Sequence, residues 1–184
     1  MYKLNATAAS LLGFLHEGPM SGWDLVTKAQ TVIGDFWSLT PSQIYRELSS
    51  LATAGLVQAG EREQRDRRPF SITAEGRAAF AAWIIQEPSE ETIRFPLLLS
   101  VSFGKYLPKE KLISFVRSQR SGHQQRLDGY RQQHSKLIAQ HPTDPYALAI
   151  LDFGLRYEEA VLSWIDSLTE SFSTAEIRAA ENEP

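Results

Sequence analysis

The chain has 184 residues, 42% of them apolar, which is the composition of a globular protein and excludes a disordered one. It contains no cysteine, which excludes disulfides, thiolate metal sites and a cysteine nucleophile and fits a reducing cytoplasm. A net charge of −3 excludes a general polycation, so any contact with nucleic acid has to come from a local patch.

The first predicted helix runs from about Asn5, a suitable N-cap, to His16. Leu4, Ala8, Leu11, Leu12 and Leu15 fall on one face at helical spacing, and Gly18-Pro19 ends the element. Ser21 caps a second helix, with Asp24 facing its first turn. Leu25, Val26, Ala29, Val32 and Ile33 form its apolar stripe, Gly34 closes it, and Phe36-Trp37 are expected to staple the turn. The third helix is the best signalled. Thr40-Pro41-Ser42-Gln43 is a capping box with proline at the first helical position. Ile44, Leu48, Leu51 and Ala52 make its buried face and Gly55 stops it, leaving Ser42, Gln43, Arg46, Ser49, Ser50 and Thr53 pointing elsewhere.

Leu56–Ala59 and Pro69–Ile72 read as two short strands around the polar run 61–68, a hairpin. Thr73 caps a fourth helix to about Gln86, with Ala78, Ala79, Ala82, Trp83 and Ile84 apolar. Pro88 and the acidic stretch after it mark a boundary. Beyond it come a short apolar helix from Pro96 to Phe103 and a long one from Pro108 towards Gln140. The seam of the long helix (Leu112, Phe115, Val116, Leu127, Tyr130, Leu137, Ile138) weakens where Gln119, Gly122 and His123 stand. Asp144-Pro145 starts a last helix, roughly 146–172, with apolar residues on several faces. The expected organisation is a DNA-binding domain at 1–88, a helical domain at 89–173 and a polar tail at 174–184.

Three helices followed by a hairpin in this order describe a winged helix-turn-helix, whose third helix enters the major groove while the hairpin reaches along the backbone. Gln43 and Arg46 lie one turn apart on the outer face of the third helix. Glutamine can bond adenine and arginine can bond guanine bidentately. Ser42 and Ser49 are small donors suited to phosphate. Arg62, Arg65, Arg67 and Arg68 charge the hairpin tip, diluted by Glu61, Glu63 and Asp66. The same features also describe a solvated helix face and an ordinary mixed-charge loop.

These residues carry a resemblance. Leu11-Leu12-Gly13-Phe14-Leu15 through Gly18-Pro19-Met20-Ser21-Gly22-Trp23-Asp24-Leu25 resembles the opening of the PadR family. Phe36-Trp37, Pro41–Leu48, Leu51 and Ala54-Gly55-Leu56-Val57 resemble its recognition helix and first wing strand. Arg67-Arg68-Pro69-Phe70 and Ile72-Thr73-Ala74-Glu75-Gly76 resemble the wing return and the entry to the next helix. The match spans about residues 8–83, and the C-terminal part is similar, more loosely, to the helical dimerisation region of longer members. The resemblance implies a homodimeric repressor on double-stranded DNA carrying an inverted repeat. It places Tyr45 on the DNA backbone, Ser42, Gln43 and Arg46 towards the groove, and Arg65, Arg67 and Arg68 in the wing contacts. The chain departs from the family in having Arg46 where many members have proline, and in an unusually acidic wing.

The fold class expected is therefore mainly α: a winged helix-turn-helix of three helices plus a two-stranded wing, followed by a helical dimerisation domain. A last helix that is apolar all round needs more than one surface to bury against, and a second copy is the simplest. A monomer that covers this surface itself is the alternative. The charge distribution adds a second reason. Residues 89–140 carry 9 Lys/Arg against 4 Asp/Glu, residues 141–184 carry 2 against 9, and segments of opposite sign attract within or between chains. Trp83, Tyr130, Tyr157 and Trp164, with Phe95, suit either a flat aromatic or phenolic effector or an ordinary core. No metal, cofactor or catalytic role is expected. His16, His123, His134 and His141 lack the i, i+4 spacing of a helical zinc pair, and Ser102-Phe103-Gly104-Lys105 lacks the companion motifs of a Ser-x-x-Lys enzyme. No stretch approaches about 18 apolar residues and the opening residues lack a signal-peptide pattern, so no membrane partner is expected. The rival function is a winged-helix module that binds protein and not DNA.

Overall fold

The structure is a computed structural model that describes residues 2–34, 36–61, 68–140 and 144–180, with side chains as far as residue 171. Its backbone contacts divide the chain into two compact units, Met1–Glu91 and Thr92–Pro184.

The first unit runs α1 (Ala6–Phe14), β1 (Met20–Ser21), α2 (Gly22–Val32), α3 (Pro41–Thr53), β2 (Val57–Ala59), β3 (Pro69–Ile72) and α4 (Ala74–Ile84). Each helix begins on the cap its sequence dictates. Asn5 accepts from the Ala8 amide, and Thr73 accepts from the Gly76 amide. Ser21–Asp24 and Thr40–Gln43 form reciprocal capping boxes. The core is a knot of branched aliphatics from three helices: Leu11 and Leu12 of α1 with Leu15 at its C-cap, Leu25 of α2, and Ile44, Leu48 and Leu51 of α3, all at most 1% exposed. Phe70, Ile72 and Phe80 close it from the sheet and α4. Burying one such leucine is worth about 1.5–3 kcal/mol, so this cluster fixes how α3 is presented.

Three expectations are corrected in this unit. The wing pairs with a third strand, giving the order β1-β3-β2, both pairings antiparallel. Two residues are too short for their alternation to be seen in sequence. Phe36 and Trp37 do not staple the turn, being 50 and 44% exposed beyond the end of α2, and Val32, expected on the α2 stripe, is 38% exposed at the last residue of that helix. On α4 the inner face is Gly76, Ala79, Phe80 and Trp83, while Ala82 and Ile84 face out. That face keeps helical spacing, and an all-alanine surround hid its phase.

The second unit holds α5 (Pro96–Ser102), a 3-10 turn (Gly104–Tyr106), α6 (Lys109–Ile138) and α7 (Pro145–Ala180). Leu97, Val116, Val161 and Ile165 form its core, with Phe95, Phe115, Trp164 and Leu168 packed on it. In the weak stretch of the α6 seam Gln119 is exposed and Gly122 half-buried, but His123 is buried in a polar contact. His123 Nδ1 lies 2.6 Å from Glu158 Oε2, and Arg126 Nε donates to Glu158 Oε1 at 2.7 Å. Farther along, Arg120 donates twice to Asp166, at 2.8 and 3.1 Å, and its guanidinium holds that carboxyl below the usual value. The last helix continues to Ala180, past the expected end at 172 and into the expected polar tail. Residues 174–180 contain neither glycine nor proline, and alanine, glutamate and arginine extend a helix at little cost.

Candidate nucleic-acid interface

The capping box fixes the start of α3, and Ile44, Glu47, Leu48 and Leu51 turn inward. What remains outside is Ser42, Tyr45, Arg46, Ser49 and Thr53, all exposed, at i, i+3, i+4, i+7 and i+11. That spacing is one continuous helix face. It offers hydroxyls, a phenol and a guanidinium, and no carboxylate. Arg46 is the reaching group, its side chain 69% exposed.

Gln43 is half-buried, and its Oε1 accepts from the Thr40 amide at 2.8 Å and from the Thr40 hydroxyl at 3.0 Å. The cap therefore occupies the carbonyl, which leaves the Gln43 amide group for any outside contact. Tyr45 is held by its neighbour helix. A Cβ added to Gly22 would sit 2.3 Å from Tyr45 Cε1, so the ring lies directly on the backbone at the start of α2. Any side chain at position 22 would push it off.

The sheet carries Arg68 at the edge of the wing. Its Nε donates to the Gly60 carbonyl at 3.1 Å, which pins the base of the hairpin across the strands. Arg65 and Arg67 lie outside the described residues.

A second feature of the first unit is an open cleft of about 810 Å³ lined by Leu4, Ala54, Leu56, Ala79, Ala82 and Trp83, with Lys3 and Gln86 as polar groups and Tyr2 at one side. Its size is that of a small-molecule site. The structure places Trp83 here. The other three aromatics belong to the second unit and have close neighbours of their own. Tyr130 lies on Gly154, where an added Cβ would meet its ring at 2.7 Å. Tyr157 stacks on Phe153 with centroids 6.2 Å apart, and Trp164 packs on Phe95 at 5.7 Å.

Residues 11–82 match the model of the transcriptional regulator PadR-like family, and residues 93–172 match the virulence activator alpha C-terminal model. The negative transcriptional regulator PadR of Bacillus subtilis is 26% identical over 171 residues, 86% of this chain and 93% of that one. Residues 11–82 are thus a PadR-like domain, and the chain is similar over most of its length to PadR-like transcriptional regulators.

Solved structures of PadR-like proteins share the fold over nearly their whole length. The regulator BC1756 from Bacillus cereus superposes with a TM-score of 0.80 at 18% identity, over 92% of this chain and 99% of its own. Bacillus subtilis PadR in complex with operator DNA gives 0.77 at 23% identity, over 91% and 99%. The same protein in complex with p-coumaric acid gives 0.68 at 23% identity, over 93% and 99%. The fold is thus a PadR-like winged helix with a helical C-terminal region.

Within this PadR-like frame, reading the sequence missed Glu47 and Tyr2. Glu47 sits on the inner side of α3 at 9% exposure, and the Tyr2 phenol donates to its Oε2 at 2.9 Å. A carboxylate at a core-phase position of α3, one residue after the outward Arg46, was the available signal. Among the described residues no group of three or more His, Cys, Asp and Glu side chains could hold a metal, and no helix is long and apolar enough to cross a membrane.

Proposed function

We propose that this PadR-like regulator binds an inverted-repeat operator as a homodimer and represses transcription in the cytoplasm. The observation that carries this is the uninterrupted, carboxylate-free outer face of α3. Arg46 would read a base edge, with the free amide of Gln43 beside it, while Ser42, Tyr45 and Ser49 would meet the phosphate backbone. Arg65, Arg67 and Arg68 would reach along the duplex from the wing.

The dimer is supported by α7. Its inner seam packs on α6, yet Tyr146, Ile150, Phe153 and Tyr157 remain 81, 39, 58 and 40% exposed. They repeat at 4, 3 and 4 residues, the spacing of a seam between helices. We assign the C-terminal helices to that contact and the N-terminal unit to DNA. For the effector, the Trp83 cleft is the better site, because Tyr130, Tyr157 and Trp164 are engaged in ring contacts within the second unit. A flat aromatic acid suits it, with the ring against Trp83 and the carboxylate towards Lys3. The p-coumaric acid complex of Bacillus subtilis PadR supports this class.

Selection of duplexes from a random library at about 150 mM salt tests the reading, since non-specific binding is weak there. Enrichment of an inverted repeat is the expected result. The net charge of −3 favours the rival reading, a protein-binding module. A library without enrichment, with and without aromatic acids, would select that rival.

A further inference from the structure

We propose that Tyr2 is a positioning residue for base reading: its phenol engages the Glu47 carboxylate and so keeps Arg46 free to face DNA. The inference rests on the reading of α3 as the recognition helix.

Arg46 and Glu47 are adjacent on α3 and opposite in charge, but they leave the helix on different sides. The Arg46 side chain is 69% exposed and that of Glu47 is 12% exposed. Nη2 of Arg46 lies 3.8 Å from Glu47 Oε1, a long ion pair without a hydrogen bond. The other carboxylate oxygen is taken. Tyr2, 45 residues upstream, donates its phenolic hydrogen to Oε2 at 2.9 Å. The same carboxylate therefore has two partners, a neutral phenol in hydrogen-bond contact and a guanidinium held in a longer, unbonded ion pair.

A buried carboxylate with no donor is costly, and an arginine within reach is the stronger partner. Without the phenol, Glu47 would draw the guanidinium across the helix and out of the exposed face. With it, one carboxylate oxygen is satisfied, the ion pair stays long, and the Arg46 side chain stays exposed. The phenol is suited to a permanent role. Burial, together with Glu47, pushes its pKa up to about 12, so it keeps the proton it donates. Tyr2 also packs on the core of the first unit, which holds the ring in place. Tyr2 touches no DNA in this scheme, and acts on specificity only through Glu47 and Arg46.

The test compares duplex selection and operator affinity for the wild type, Y2F, R46A, Y2F/R46A and Y2F/E47Q as full chains. Phenylalanine keeps the ring packing, so Y2F should fold, which circular dichroism checks. Expected is a roughly tenfold loss of affinity for the selected operator, the size of a weakened arginine–base contact. The loss should fall on the operator positions that R46A also blurs. Y2F/R46A should bind no more weakly than R46A, and E47Q should suppress the Y2F defect by removing the charge that captures Arg46. A Y2F protein with unchanged base preference overturns the inference. So does a uniform loss on all sequences that adds to R46A and is not relieved by E47Q. A wild-type chain that enriches no duplex overturns the DNA-binding reading itself and this inference with it.

Discussion

Arg46, Arg68 and Tyr2 each carry a measurable consequence for the proposed DNA contact. Arg46 is the exposed cation of the face, so Arg46→Ala should cost about 1–3 kcal/mol of operator binding and relax preference at one base position per half-site. Quantitative binding to single-base operator variants checks this. Arg68, exposed on the wing edge, should behave differently. Its replacement by alanine should weaken binding to all sequences alike and lower the salt slope by about 1. Tyr2 has a signature outside DNA binding. Its phenol titrates near 10 when unfolded and near 12 when folded. The folded state thus holds a proton that the unfolded state has lost, and the stability this contributes is intact below pH 10 and disappears as the pH rises through about 12. Alkaline unfolding of Y2F should lack that part of the decline.

At the scale of elements, the helices were legible because each announces its ends chemically. Asn5, Ser21, Thr40 and Thr73 cap as their residue types dictate, and the branched aliphatics of α1 to α3 mark their inner faces, Val32 at the end of α2 excepted. Partners distant in the chain were less legible. Nothing near Glu47 in sequence foretells Tyr2, and nothing near His123 foretells Glu158, since each pairing depends on how helices pack. The break in the α6 seam was visible, but its meaning was not. Glu158 joins α7 to His123 and Arg126 with its side chain 3% exposed, so Glu158→Ala should destabilise the second unit by about 3 kcal/mol in urea unfolding. Gly22→Ala tests a tighter contact. The added methyl must displace the Tyr45 ring, which should lower stability by about 1 kcal/mol and weaken operator binding.

At the scale of the molecule, the two units divide the proposed work, with DNA contact in the first and pairing of copies in the second. Replacing Ile150 and Phe153 together by glutamate places charge on the exposed stripe of α7 and leaves its α6-facing seam intact. Analytical ultracentrifugation should then find monomers of undiminished helicity, and operator binding should fall steeply because each copy reads only one half-site.

The stripe on α7 also has a consequence for the cell. If only paired copies hold an operator, then at low abundance the active species grows with the square of the chain concentration, and halving the gene dose cuts it roughly fourfold. A fragment retaining α6 and α7 but lacking the N-terminal unit would draw full-length copies into half-armed pairs. Such a fragment should act as a dominant inhibitor of its own parent, and derepression should follow its level of expression.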